Sequence, residues 1–119
     1  MVYCASTVSL AALEYLVHVD PDLVPDDLVV LELLLPAAAP TDTWAVADLP
    51  ADWRATAAPA TCHALGDAWI ARAASLALWV PSVLIPTEQN VLLNPAHAAM
   101  ADVRVASVTP FQFDPRLLT

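Results

Sequence analysis

The stretch Trp79-Val80-Pro81-Ser82-Val83-Leu84-Ile85-Pro86-Thr87-Glu88-Gln89-Asn90-Val91-Leu92-Leu93-Asn94-Pro95-Ala96-His97 constrains this chain more than any other. It sets Ser82, Asn90, Asn94 and His97 among apolar residues, between prolines that fix the backbone. Polar groups in apolar surroundings must find partners or serve a ligand. A second misfit, Glu14 with His18, sits in the apolar segment near the N-terminus. A pocket built from these two regions is the expectation.

At 119 residues the chain is one domain with room for one core. Its apolar share of 59% and charged share of 14% exclude a disordered chain. The net charge is −9, and the only basic side chains besides histidine are Arg54, Arg72, Arg104 and Arg116, scattered along the chain. Direct nucleic-acid binding needs clustered cations and is not expected, and an anionic membrane surface is disfavoured for the same reason. Cys4 and Cys62 form neither a metal spacing nor a disulfide framework, so both are expected reduced and packed. There is no basic lead-in of a secretory signal, and charges and prolines break every apolar run short of a membrane span. A soluble cytoplasmic protein is the expectation.

Along the chain, Val2 to Ala5 reads as a strand, and Ser6 or Thr7 caps a helix running to about Val19. That helix is apolar nearly all round, which predicts burial on most sides. Its one polar stripe is Thr7, Ala11, Glu14 and His18. Leu28 to Leu35 reads as a strand covered on both faces, and Pro36 to Pro59 as irregular chain anchored by Trp44 and Trp53. Pro59 to Ala74 reads as a second helix, followed by strands at Ser75–Val80, Asn90–Leu93 and Val103–Val108, the last continuing past Pro110 to Asp114. Asn94-Pro95 opens a short helical turn. The mixture predicts an α/β fold of the α+β kind with compact sheets.

Glu14 is the best catalytic candidate on chemistry, although a stripe of this kind commonly just faces water. Ser82 lies in no nucleophile elbow, and a hydroxyl bonded to nearby backbone is its plainer reading. Asn90 either orients a ligand hydroxyl or supports a loop. Asn94 reads as a cap, His97 as a packing or hydrogen-bonding residue, and His18 as either a partner of Glu14 or a surface residue. Tyr3 is either core or a stacking platform for a planar ligand. Gly66 is the only glycine, which excludes glycine-rich phosphate loops, and no zinc spacing is present.

In order and spacing these residues resemble the RES domain, the toxin half of bacterial RES–Xre toxin–antitoxin pairs. The resemblance runs through Val2-Tyr3-Cys4-Ala5-Ser6, Leu10-Ala11-Ala12-Leu13-Glu14-Tyr15-Leu16-Val17-His18, Leu49-Pro50-Ala51-Asp52-Trp53-Arg54 and Leu65-Gly66-Asp67-Ala68-Trp69. It continues through Val80-Pro81-Ser82 and Asn90-Val91-Leu92-Leu93-Asn94-Pro95-Ala96-His97, and closes with Pro110-Phe111-Gln112-Phe113-Asp114-Pro115-Arg116-Leu117. It spans residues 1–119 and implies a fold similar to ADP-ribosyltransferases, two small sheets around a cleft with flanking helices. The implied activity is cleavage of the nicotinamide–ribose bond of NAD, by phosphorolysis or hydrolysis, with NAD as substrate and no separate cofactor. Some members instead attach ADP-ribose to a protein.

Glu14 and Ser82 match the Glu and Ser of the family name, and Tyr3 matches a tyrosine of the same pocket; Asn90 joins Tyr3 as an expected substrate contact. The family Arg precedes the Val-Tyr strand, and none of the four arginines here stands at that position. The reading is therefore a RES domain shortened at its N-terminus and impaired in activity, since losing one buried charged partner costs ~2–5 kcal/mol. The implied partner is an Xre-type antitoxin, in a homo- or hetero-oligomer. The rival reading is a non-catalytic module that binds such an antitoxin.

Overall fold

A computed structural model describes residues 1–55 and 60–119. Strand β1 (Val2–Ala5) leads directly into helix α1 (Val8–Val17). Strands β2 (Val29–Leu34) and β3 (Thr41–Thr43) precede helix α2 (Ala60–Arg72). Strands β4 (Ala77–Pro81), β5 (Gln89–Leu93) and β6 (Arg104–Pro110) complete the described elements, joined by short 3-10 turns. The expected mixed α/β architecture with two small sheets is present.

The main sheet has the order β1-β5-β4-β3, antiparallel except for the parallel β3–β4 pair. Its centre is the register Leu78↔Leu92, flanked by Ala77↔Leu93 and Trp79↔Val91. Alternation sends Leu78 and Leu92 to one face, where Trp69 of α2 packs with Ile70 and Trp44. Ala77, Val91 and Leu93 point to the other face, against Leu33, Leu35 and Met100. Because both faces are covered, Leu76 to Val80 reads as an unbroken apolar run.

Buried polar groups tie α2 to this sheet. Trp69 Nε1 donates to Ser75 Oγ at 2.9 Å, and Ser75 Oγ donates to Asp42 Oδ2 at 2.6 Å. Asn94, 0% exposed, donates from Nδ2 to the Ile70 carbonyl at 3.1 Å and accepts the Ala96 amide at 3.0 Å. Asn94 thus caps a turn, as its position before Pro95 predicts. The helical segment itself begins later, at Ala98, where His97 Nδ1 accepts the Ala99 amide.

Several local expectations need correction. β2 is not covered on both faces: it pairs only with β6, in a two-stranded ribbon that leaves Leu31 54% and Val108 58% exposed. A continuous apolar run marks a strand but not what covers it. Helix α1 is likewise not buried on most sides; Leu10 is its one fully buried residue, and Val8, Leu13 and Val17 face outward. The segment expected to be irregular contains β3, whose Thr-Asp-Thr carries no apolar alternation; it pairs with β4 through its backbone and is tied to Ser75 by the Asp42 side chain. β6 ends at Pro110, where the chain turns and the Phe111 amide donates to the Leu28 carbonyl. α2 is observed from Ala60; Pro59, its expected first residue, lies outside the described residues.

Replacing buried Asn94 with Ala removes the partner of the Ile70 carbonyl and of the Ala96 amide in a part-buried place. The expected cost is about 1–3 kcal/mol of unfolding free energy, read by urea denaturation.

Candidate functional site

The site is assembled where β4 hands over to β5. β4 ends at Pro81, and residues 82–88 form a tight turn locked by its own hydrogen bonds. The Ser82 amide donates to the Glu88 carbonyl at 2.9 Å, and the Glu88 amide to the Ile85 carbonyl at 2.8 Å. Ser82 Oγ accepts the Leu84 and Ile85 amides, each at 3.1 Å. Pro81 and Pro86 stiffen the same turn.

Helix α1 is delivered to this turn by β1. The Ser6 amide donates to the Gln89 carbonyl at 3.1 Å, and Thr7 caps the helix by accepting the Leu10 amide at 3.1 Å. Thr7 Oγ1 also donates to Glu88 Oε1 at 3.4 Å. Glu14 lies seven residues after Thr7, two helical turns along one face. Its Oε1 accepts Ser82 Oγ at 2.8 Å and Asn90 Nδ2 at 2.9 Å. Among the described residues no hydrogen bond engages Oε2. Ser82 thus follows its plainer reading, a hydroxyl bonded to nearby backbone, and in addition donates to Glu14. Ser82 is 0% exposed, and its one proton and two lone pairs are all committed.

Among the described residues, Asn90 Oδ1 is buried without a partner. Its Nδ2 must face the Glu14 oxygen, so this acceptor is the one left over. Tyr3 stands opposite Leu92 in the register and Ala5 opposite Asn90, so alternation places Tyr3 and Asn90 side chains on the same sheet face. Tyr3 is on the outer strand and 76% exposed, a free aromatic surface rather than core. His18 caps the far end of α1 and is exposed, and His97 is occupied in its own turn; neither joins Glu14.

Two open hollows, of about 530 and 400 Å³, lie elsewhere: one by Asp26–Val29 and Pro110–Gln112, the other between α1 and the C-terminal turn. Neither is lined by Glu14, Ser82 or Asn90.

Sequence reasoning missed two neighbours of the cluster. Glu88 carried no signal, because its link to Thr7 spans 81 positions. Arg54 reads as one of four scattered cations, yet its Nε donates at 3.1 Å to the carbonyl of Val83, next to Ser82. The thiols offer no rival nucleophile. Burial pushes the Cys4 thiol up, and burial with nearby Asp52 raises Cys62, so both stay protonated near neutral pH.

A carboxylate held by two donors with one oxygen free, next to an asparagine that shares a sheet face with an exposed tyrosine, is an arrangement that can receive a cationic or hydroxyl-rich ligand. Residues 1–114 match the RES domain model. The toxin Res of Yersinia enterocolitica is 40% identical over 123 residues, covering 98% of this chain and 76% of that protein. A protein of Sphingobium named Prs ADP-ribosylating toxin is 32% identical over 120 residues, covering 99% and 74%. The toxin Res of Pseudomonas putida is 36% identical over 117 residues, covering 92% and 76%. The chain belongs to the RES domain family, and its two small sheets with flanking helices fit the ADP-ribosyltransferase-like fold of that family. Among the described residues no helix is long and apolar enough to cross a membrane.

Replacing Ser82 with Ala removes the donor to Glu14 and orphans two backbone amides. A loss of about 1–3 kcal/mol in chemical denaturation is the expected outcome, larger than an exposed serine ever shows.

Proposed function

We propose that this domain acts on NAD, breaking the bond between nicotinamide and ribose as a toxin. The observation that carries the reading is the double hydrogen bond to Glu14 Oε1, which leaves Oε2 free. In the reaction the C1′–N bond breaks, and its electron pair leaves with neutral nicotinamide. The ribose passes through an oxocarbenium-like state, as at other glycosidic bonds. The Glu14 carboxylate accepts a ribose hydroxyl and stabilises the developing positive charge. A water or phosphate oxygen, or a protein side chain, then forms the new bond at C1′ and gives up its proton.

Ser82 supports this chemistry by holding Glu14, not by attacking, because its oxygen has no free lone pair. Asn90 shares that hold, and its orphaned Oδ1 suits a donor brought by the substrate or a bridging water. Tyr3 offers its face to a planar ring. The family Arg has no counterpart among the four arginines of these 119 residues.

The domain also pairs with an Xre-type antitoxin, a reading favoured by its charge of −9. An acidic toxin bound to a DNA-binding partner needs no basic patch of its own. Neither role depends on a membrane, and both belong to the bacterial cytoplasm.

Glu14→Gln keeps the shape and removes the charge. Nicotinamide release from NAD is expected to fall by roughly 100-fold or more. Equal turnover by Glu14→Gln and wild type sinks the reading. Co-purification with a co-expressed antitoxin is expected for both forms; capture without any wild-type NAD loss identifies a binding module alone.

A further inference from the structure

Four arginines must serve a strongly acidic chain, and the fold disposes of them differently. Arg116 is committed to Asp114, donating from Nε at 3.0 Å and from a terminal nitrogen at 2.8 Å. That pair pulls the Asp114 carboxyl below its ordinary value. Arg72 closes α2 beside Ile70, whose carbonyl binds Asn94, at the end of β5 opposite to Asn90. Arg104 starts β6, opposite Leu34 in the second sheet. Arg54 alone is tied to the 82–88 turn, where its Nε binds the Val83 carbonyl.

That single bond leaves the four terminal N–H groups of the Arg54 guanidinium without a hydrogen bond among the described residues. The side chain is exposed, so these donors face solvent as a planar fork. Val83 follows Ser82, which grips Glu14, and consecutive Cα atoms are ~3.8 Å apart. The cation and the carboxylate therefore lie within about the length of one nucleotide. A dinucleotide brings two negative charges to a chain of net charge −9, and long-range repulsion must be met by a local cation. Arg forks match phosphate oxygens in pairs.

Resting on the proposed reading of the site, we infer that Arg54, latched to the turn beside Ser82, is a clamp for the diphosphate of the dinucleotide. The latch sets the stem of the side chain and leaves the fork to the ligand. Glu14 meets the ribose and Arg54 the phosphates.

The test is ADP-ribose binding by calorimetry with the whole chain, at two salt concentrations. For Arg54→Gln the affinity is expected to fall about 10- to 100-fold, with its salt dependence flattened. Arg54→Lys keeps a point charge without the fork, so a severalfold loss is expected even if the Gln variant folds poorly. A role confined to bracing the turn predicts a loss that leaves the salt dependence intact, and that result overturns the clamp. So does unchanged affinity in both variants, or no ADP-ribose binding by wild type. Unchanged binding in the variants with normal NAD turnover removes the clamp alone. Arg54-dependent binding without any wild-type nicotinamide release removes the NAD-cleaving reading and leaves the clamp.

Discussion

One oxygen of Glu14 joins the two ends of this fold. It accepts a hydroxyl from the turn after β4 and an amide from the first residues of β5, while riding on a helix that follows β1. The three elements that meet there come from positions 14, 82 and 90, so no local segment makes the site. A carboxylate in partly buried surroundings is costly unless it is hydrogen-bonded, and here two neutral donors meet that cost. Those donors are themselves fixed, Ser82 by two backbone amides and Asn90 by its place in a central strand. Both donors are thus fixed, while Glu14 Oε2 carries no hydrogen bond among the described residues.

The sheet arrangement divides covered from exposed elements. β4 and β5 are covered on both faces and supply most of the core. β1 lies at the margin of that sheet, where it carries the exposed Tyr3. The ribbon of β2 and β6 is thinner, with apolar side chains outward on a chain already rich in them. A surface of that kind is the usual mark of a partner.

Charge divides the molecule in another way. With thirteen acidic and four arginine side chains, few cations are available, and one is spent on a local pair with an aspartate two residues away. The position of Arg54 therefore matters more than it would in a neutral protein.

Much of this was legible in the chain itself. The helix cap at Thr7, the apolar run of β4, the brace at Asn94 and the polar misfits Glu14, Ser82 and Asn90 all follow from residue chemistry and spacing. The element types at these places were right because local propensity and local hydrogen bonding decide them. The covering of β2, the exposure of α1, the short β3 and the places of Arg54 and Glu88 were not legible. Each depends on which distant segment packs alongside, and a hydropathy pattern reports that a side chain avoids water without saying what shields it. Sequence alone determined that a carboxylate, a hydroxyl and a carboxamide stood in apolar surroundings and needed partners. Only the tertiary structure decided that they would partner one another, because hydrogen bonds act over about 3 Å and their geometry arises only when the chain has closed.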